Sequence, residues 1–144
     1  MLTIVKRSFA SEDFQPQNRA FLYGDAVQVS FFIRNAHLIM AEECYFYLMA
    51  SMRKMRMAIP LSYTLEFFQN LFAEKVIQED VQNGIIQFFV YRNTDENSLS
   101  KSGISFYFEV DLIDDILQIQ QDFEIDLIKE INVNTHVLSG IHVL

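Results

Sequence analysis

Few side chains in this sequence have types that could carry chemistry. There are three histidines, His37, His136 and His142, and one cysteine, Cys44. None of them has the close spacing that builds a zinc ligand set, with His136 and His142 six residues apart, so no metal is expected. A glycine-rich phosphate loop, a G-x-S-x-G elbow and an HExxH helix are all absent from the sequence. Met40, Met49, Met52, Met55 and Met57 could line an adaptable groove, but at helical spacing they read as core. The acidic pairs Glu79-Asp80 and Asp114-Asp115 read as solvated faces.

The elements that must position these residues come from a chain of 144 residues that is 51% apolar and 14% aromatic, which is one domain with a real core and not a disordered segment. Nineteen acidic against 11 basic residues give a net charge of -8, the wrong sign for a phosphate-binding footprint, so nucleic acid is not an expected partner. A lone cysteine fits a reducing compartment. No apolar run approaches the ~20 residues of a membrane span, and MLTIVKRSF lacks a signal-peptide core. The expected location is the cytoplasm, with no membrane partner.

Periodicity orders the chain. Residues 2–5 (LTIV) form a short β-prone run, followed by a polar stretch around Pro16. Val27, Val29, Phe31 and Ile33 alternate with Gln28, Ser30 and Phe32, which predicts a strand opened by the Tyr23-Gly24-Asp25 turn. Asn35-Ala36-His37 then breaks the chain, and residues 38–40 pair back as a hairpin. Tyr45, Leu48, Met49, Met52 and Met55 predict a helix from Glu42 to Met57, acidic at its start, basic at its end, and stopped by Pro60. Ser62 caps a second helix with Leu65, Phe68, Leu71, Phe72 and Val76 on its core face, and Gly84 ends that region. Strands at 85–91 and 103–111 pair antiparallel across the polar loop RNTDENSLSKSG, and FEIDLIKEINV reads as one more strand. The fold class is α+β, an antiparallel or mixed sheet with two helices packed on one face.

One longer pattern adds to this reading. Residues 19–60 contain Arg19, Phe21, Tyr23, Gly24, Asp25, Val27, Leu48, Ser51, Ile59 and Pro60 in an ungapped spacing. The segment IIQFFVYRN follows with Arg92, and EINVNTHVLSGIHVL closes the chain. Together they resemble the N-terminal domain of class IV aminotransferases, the pyridoxal phosphate proteins that include D-amino-acid and branched-chain aminotransferases and aminodeoxychorismate lyase. The resemblance implies a small α+β domain over residues 1–120. It also implies an interdomain link over residues 121–144 that leads into a larger domain.

The departures from the family pattern bear on chemistry. The resemblance places Tyr47 where the family has its phosphate-binding arginine, Cys44 at a histidine position, and Val29, beside Gln28, at an acidic one. The cofactor lysine position holds His142, which cannot form a Schiff base as a primary amine does. Arg92 and Asn97 fall at substrate-binding positions, with Leu99 nearby, and Lys101 and Lys129 are off register. Two readings follow. Either the chain is a degenerate homologue that binds no cofactor and acts in binding or assembly, with a small amino-acid-like ligand, or it is a pyridoxal phosphate aminotransferase or lyase completed by a part outside this chain. Aromatics on both sheet faces, Phe31 with Phe32 and Phe88 with Phe89, predict an uncovered apolar face and a two-fold homodimer.

Overall fold

Strict alternation from Ala26 onward gives the sheet its first long strand. The computed structural model describes residues 6–10 (backbone only), 18–93, 103–118, 124–127 and 135–140. Its strands are β1 (Lys6–Ala10), β2 (Ala26–Arg34), β3 (His37–Ile39), β4 (Gly84–Arg92) and β5 (Ile104–Leu112). Its helices are α1 (Arg19–Tyr23), α2 (Ala41–Lys54) and α3 (Leu65–Lys75). The sheet order is β1-β5-β4-β2-β3, and every neighbouring pair is antiparallel. The expected α+β class is correct, and the sheet is antiparallel rather than mixed.

Register explains the single core. Val29 faces Phe88 across the β2/β4 pair, and Phe88 faces Phe108 across β4/β5, so one sheet face carries a continuous apolar surface. Helix α3 lays Phe68 and Phe72 on that face, within 6.3 Å of each other and in ring contact with Phe31 and Phe88. Leu48, Met49 and Met52 of α2 complete the core. The methionine stripe is core at Met49, Met52 and Met57, but Met40 is exposed, because it is the left-handed residue that turns the chain into α2.

Several boundaries depart from the sequence reading. Residues 6–10 form an edge strand, and residues 2–5 lie outside the described residues. Thr64, not Ser62, caps α3, its Oγ1 accepting the Phe67 amide at 3.1 Å. Thr64→Ala should cost about 1 kcal/mol in urea unfolding. Helix α2 ends at Lys54 through the turn at Met55 and Arg56, ahead of Pro60. Gly84 opens β4 instead of ending a helix; a Cβ there would meet the Asp111 carbonyl oxygen at 3.1 Å, so a side chain would require the strands to give by a few tenths of an ångström. Residues 124–127 are exposed and not in a strand, contrary to the expectation for that segment.

The β2/β3 hairpin turns on Asn35 and Ala36, with φ of 50° and 60°. Asparagine tolerates this left-handed region, whereas alanine is strained there. Ala36→Gly should raise stability by about 0.5–1 kcal/mol, the strain relieved less the extra chain entropy of glycine, read as a higher urea midpoint at unchanged slope.

Tyr63 is buried among Phe67, Phe68 and Phe106. Burial, and then the neighbouring Tyr91, push its hydroxyl up to about 12. Above pH ~10 the unfolded chain releases this proton while the folded chain keeps it. Stability should therefore be intact below that pH and fall as pH rises toward the folded value. Tyr63→Phe should flatten the fall in alkaline unfolding.

Candidate functional site

Asp25 organises one end of the domain. The short α1 is capped by Asn18, whose Oδ1 accepts the Ala20 amide at 2.8 Å, and it is terminated by left-handed Gly24. That turn delivers Asp25 to the head of β2. Its Oδ2 accepts from Arg19 Nε at 2.8 Å, and its Oδ1 accepts from Arg92 Nη1. Arg92 also donates through Nη2 to the Met55 carbonyl, which ties β4 to the end of α2. Hydrogen bonding to Asp25 holds the Arg19 guanidinium above its ordinary value, and Arg19 also lies over the Tyr23 ring at 5.7 Å. Arg92, a candidate substrate residue by resemblance, is thus placed between a carboxylate and a carbonyl.

The sheet face opposite the helices carries a cleft of about 570 Å³ beside α1, lined by Ala20, Phe21, Ala26, Phe89, Tyr91, Tyr107 and Glu109. Phe89 and Tyr107 pair at 5.9 Å, and the Tyr107 hydroxyl donates to Glu109 at 2.6 Å. Further along this face, Gln28 Nε2 and Ser30 Oγ both donate to Gln87 Oε1, at 2.7 and 3.1 Å.

A second groove, between β2 and α2, gathers the positions at which the sequence departs from the family pattern. Gln28, Val29, Ser30, Phe32, Glu43, Cys44 and Tyr47 line about 340 Å³. The one charge among these residues is the Glu43 carboxylate. Burial first, and Glu43 second, push the Cys44 thiol up, so it stays neutral. Tyr47 is exposed, and its hydroxyl donates to the Gly140 carbonyl at 3.1 Å. Chain segments 93 residues apart therefore meet at α2.

Pyridoxal phosphate, the cofactor that the resemblance implies, needs cations for its phosphate and an amine for its aldehyde. This groove presents a phenol, a neutral thiol and a carboxylate, which do not fit the phosphate. His142 and Asn97 lie outside the described residues, as do Leu99, Lys101 and Lys129.

Sequence reasoning missed three features. Asp25 reads only as turn chemistry in the sequence, although the charges at Arg19 and Arg92 signal partners. The meeting of Tyr47 with Gly140 has no local signal. Asp115 is not simply solvated: Arg34 grips it through Nε and Nη2 at 3.0 and 3.1 Å, and the Leu117 amide donates to it at 2.9 Å. That amide first, and Arg34 second, hold the Asp115 carboxyl below its usual range.

Solved structures share this fold. A branched-chain aminotransferase from Thermoproteus uzoniensis, solved with norvaline, matches over 74% of this chain and 40% of its own, with a TM-score of 0.59 at 15% identity. The 4-amino-4-deoxychorismate lyase from Pseudomonas aeruginosa matches over 71% of this chain and 38% of its own, with a TM-score of 0.55 at 11% identity. A T.th. branched-chain amino acid aminotransferase, solved with pyridoxamine 5′-phosphate, matches over 69% of this chain and 34% of its own, with a TM-score of 0.57 at 15% identity. The likeness falls on the N-terminal part of those proteins. No protein-family model and no curated protein matches the chain.

At these identities the likeness is one of fold. The chain spans 40% or less of the length of each of these three structures. Among the described residues, no helix is long and apolar enough to cross a membrane.

Proposed function

We propose that this chain is the small domain of a class IV aminotransferase or aminodeoxychorismate lyase-like protein that has lost its cofactor seat, and that it acts in binding or assembly. The observation that carries this reading is the hydrogen bond from Tyr47 to Gly140. The two segments that the resemblance assigns to cofactor chemistry lie against each other, and a phenol stands where the phosphate would require a guanidinium. The acid at Glu43 and the neutral thiol at Cys44 support the same reading, since both disfavour an anion. The proposed ligand is a small amino-acid-like molecule and the proposed location is the cytoplasm.

The alternative is a working pyridoxal phosphate aminotransferase or lyase completed by residues outside this chain. It is favoured by the fact that the match covers less than half of each neighbour. Calorimetric titration with pyridoxamine 5′-phosphate separates the two, because this form of the cofactor reports the phosphate seat without needing a lysine. The degenerate reading expects no saturable heat at millimolar ligand, and saturable micromolar binding would favour the enzyme.

The proposed assembly is a homodimer. Phe21, Leu22 and Tyr23 are all more than half exposed on α1, next to the uncovered sheet face. Sedimentation at micromolar concentration should give a dimer, and Phe21→Glu with Leu22→Glu should shift it to monomer.

A further inference from the structure

Helix α2 carries a stripe on its exposed side that already has an occupant. We propose that Tyr47 and Lys54 form a docking strip on α2 that holds the chain's own 135–140 turn at one residue, Gly140. The inference rests on the contacts below and not on the family reading. Seven residues, close to two helical turns, separate the pair, so they lie along one stripe about 10 Å apart. The two side chains converge on one residue: the Tyr47 hydroxyl donates to the Gly140 carbonyl at 3.1 Å, and a Cβ placed on Gly140 would stand 3.3 Å from Lys54 Nζ.

The segment reaches the strip already shaped. The His136 amide donates to Ser139 Oγ at 2.8 Å, and the Ser139 amide donates back to the His136 carbonyl at 2.9 Å. The Leu138 amide donates to His136 Nδ1 at 3.1 Å. A turn closed on itself in this way loses less conformational freedom on docking than an open tail would.

Recognition is through the backbone, at the carbonyl of a residue without a side chain. A larger residue at 140 would meet only the flexible end of Lys54, which can give by a few tenths of an ångström. The bond from phenol to carbonyl joins two neutral groups, so salt does not screen it as it would an exposed ion pair.

Amide hydrogen exchange on the full chain tests this contact. In the wild type, the peptide spanning 135–140 should be protected, and equally so at low and high salt. Tyr47→Phe removes only the donor and should speed exchange in that peptide about fivefold, the scale of one net hydrogen bond. Peptides from β4 and β5 should be unchanged, which shows that the fold is intact. The proposal is overturned if Tyr47→Phe leaves exchange at 135–140 unchanged, or if the wild-type peptide already exchanges at the unprotected rate.

Discussion

Truncating Phe88 to alanine should cost about 3–5 kcal/mol, the range for emptying a large aromatic site in a packed core. Phe88 is fully buried on β4, and its ring touches those of Phe31, Phe68, Phe72, Phe106 and Phe108 at centroid distances of 5.3 to 6.0 Å. These neighbours come from two other strands and from α3, so the cavity cannot be closed by moving one element. Edge-to-face pairs with Phe31, Phe68 and Phe72 add orientation energy of about 0.5–1.5 kcal/mol each to the area term. Domains of this size have about 5–15 kcal/mol in total, so the variant should lose a large share of its stability. Phe88→Leu keeps most of the volume and should lose far less. A cost below about 1 kcal/mol for Phe88→Ala would mean that the helix layer does not rest on this ring.

Asp25→Asn should be the next most damaging single change. The carboxylate is 10% exposed and accepts from two guanidiniums, of which Arg92 is 21% exposed and Arg19 is 51% exposed. Removing the charge leaves Arg92 largely desolvated and without its anion, beside the Met55 carbonyl. Fully buried pairs broken in this way lose about 3–5 kcal/mol, and partial exposure lowers the expectation here to about 2 kcal/mol. Arg19→Ala removes the exposed partner and should cost under about 1 kcal/mol. The two changes should not add, since both act on one carboxylate. Urea unfolding of both single variants and the double variant gives the comparison. An Asp25→Asn cost no larger than that of Arg19→Ala would show that Arg92 does not depend on this partner.

The legible parts of the fold are those where a single face meets the core. Strands β2, β4 and β5 each alternate because one side packs on α2 and α3 while the other does not, and that leaves period two in the sequence. The period of α2 survives for the same reason. The run KRSFA in β1 carries no such alternation, and as an edge strand it pairs only with β5. Five-residue α1 is too short to show a helical period. Ser62 and Thr64 are both chemically able to cap α3, and it is Thr64 whose extended backbone places its hydroxyl on the Phe67 amide. Gly84 reads as punctuation, yet it permits the close approach of β4 and β5.

The site was legible by residue type and not by partnership. Tyr47, Cys44 and Val29 were identifiable as departures from a spacing pattern, and the structure gathers them around one groove. That Tyr47 would meet Gly140, and Asp25 would join Arg19 to Arg92, depends on long-range packing that no local window contains.

Covalent trapping decides most directly whether this fold retains vitamin B6 chemistry. The protein as its gene encodes it, with any sequence beyond Leu144, would be mixed with one equivalent of pyridoxal phosphate, reduced with borohydride and weighed intact by mass spectrometry, with peptide mapping of any adduct. The degenerate reading predicts an unmodified mass and no visible absorbance band before reduction. A stoichiometric phosphopyridoxyl adduct on one residue, accompanied by such a band, would contradict it.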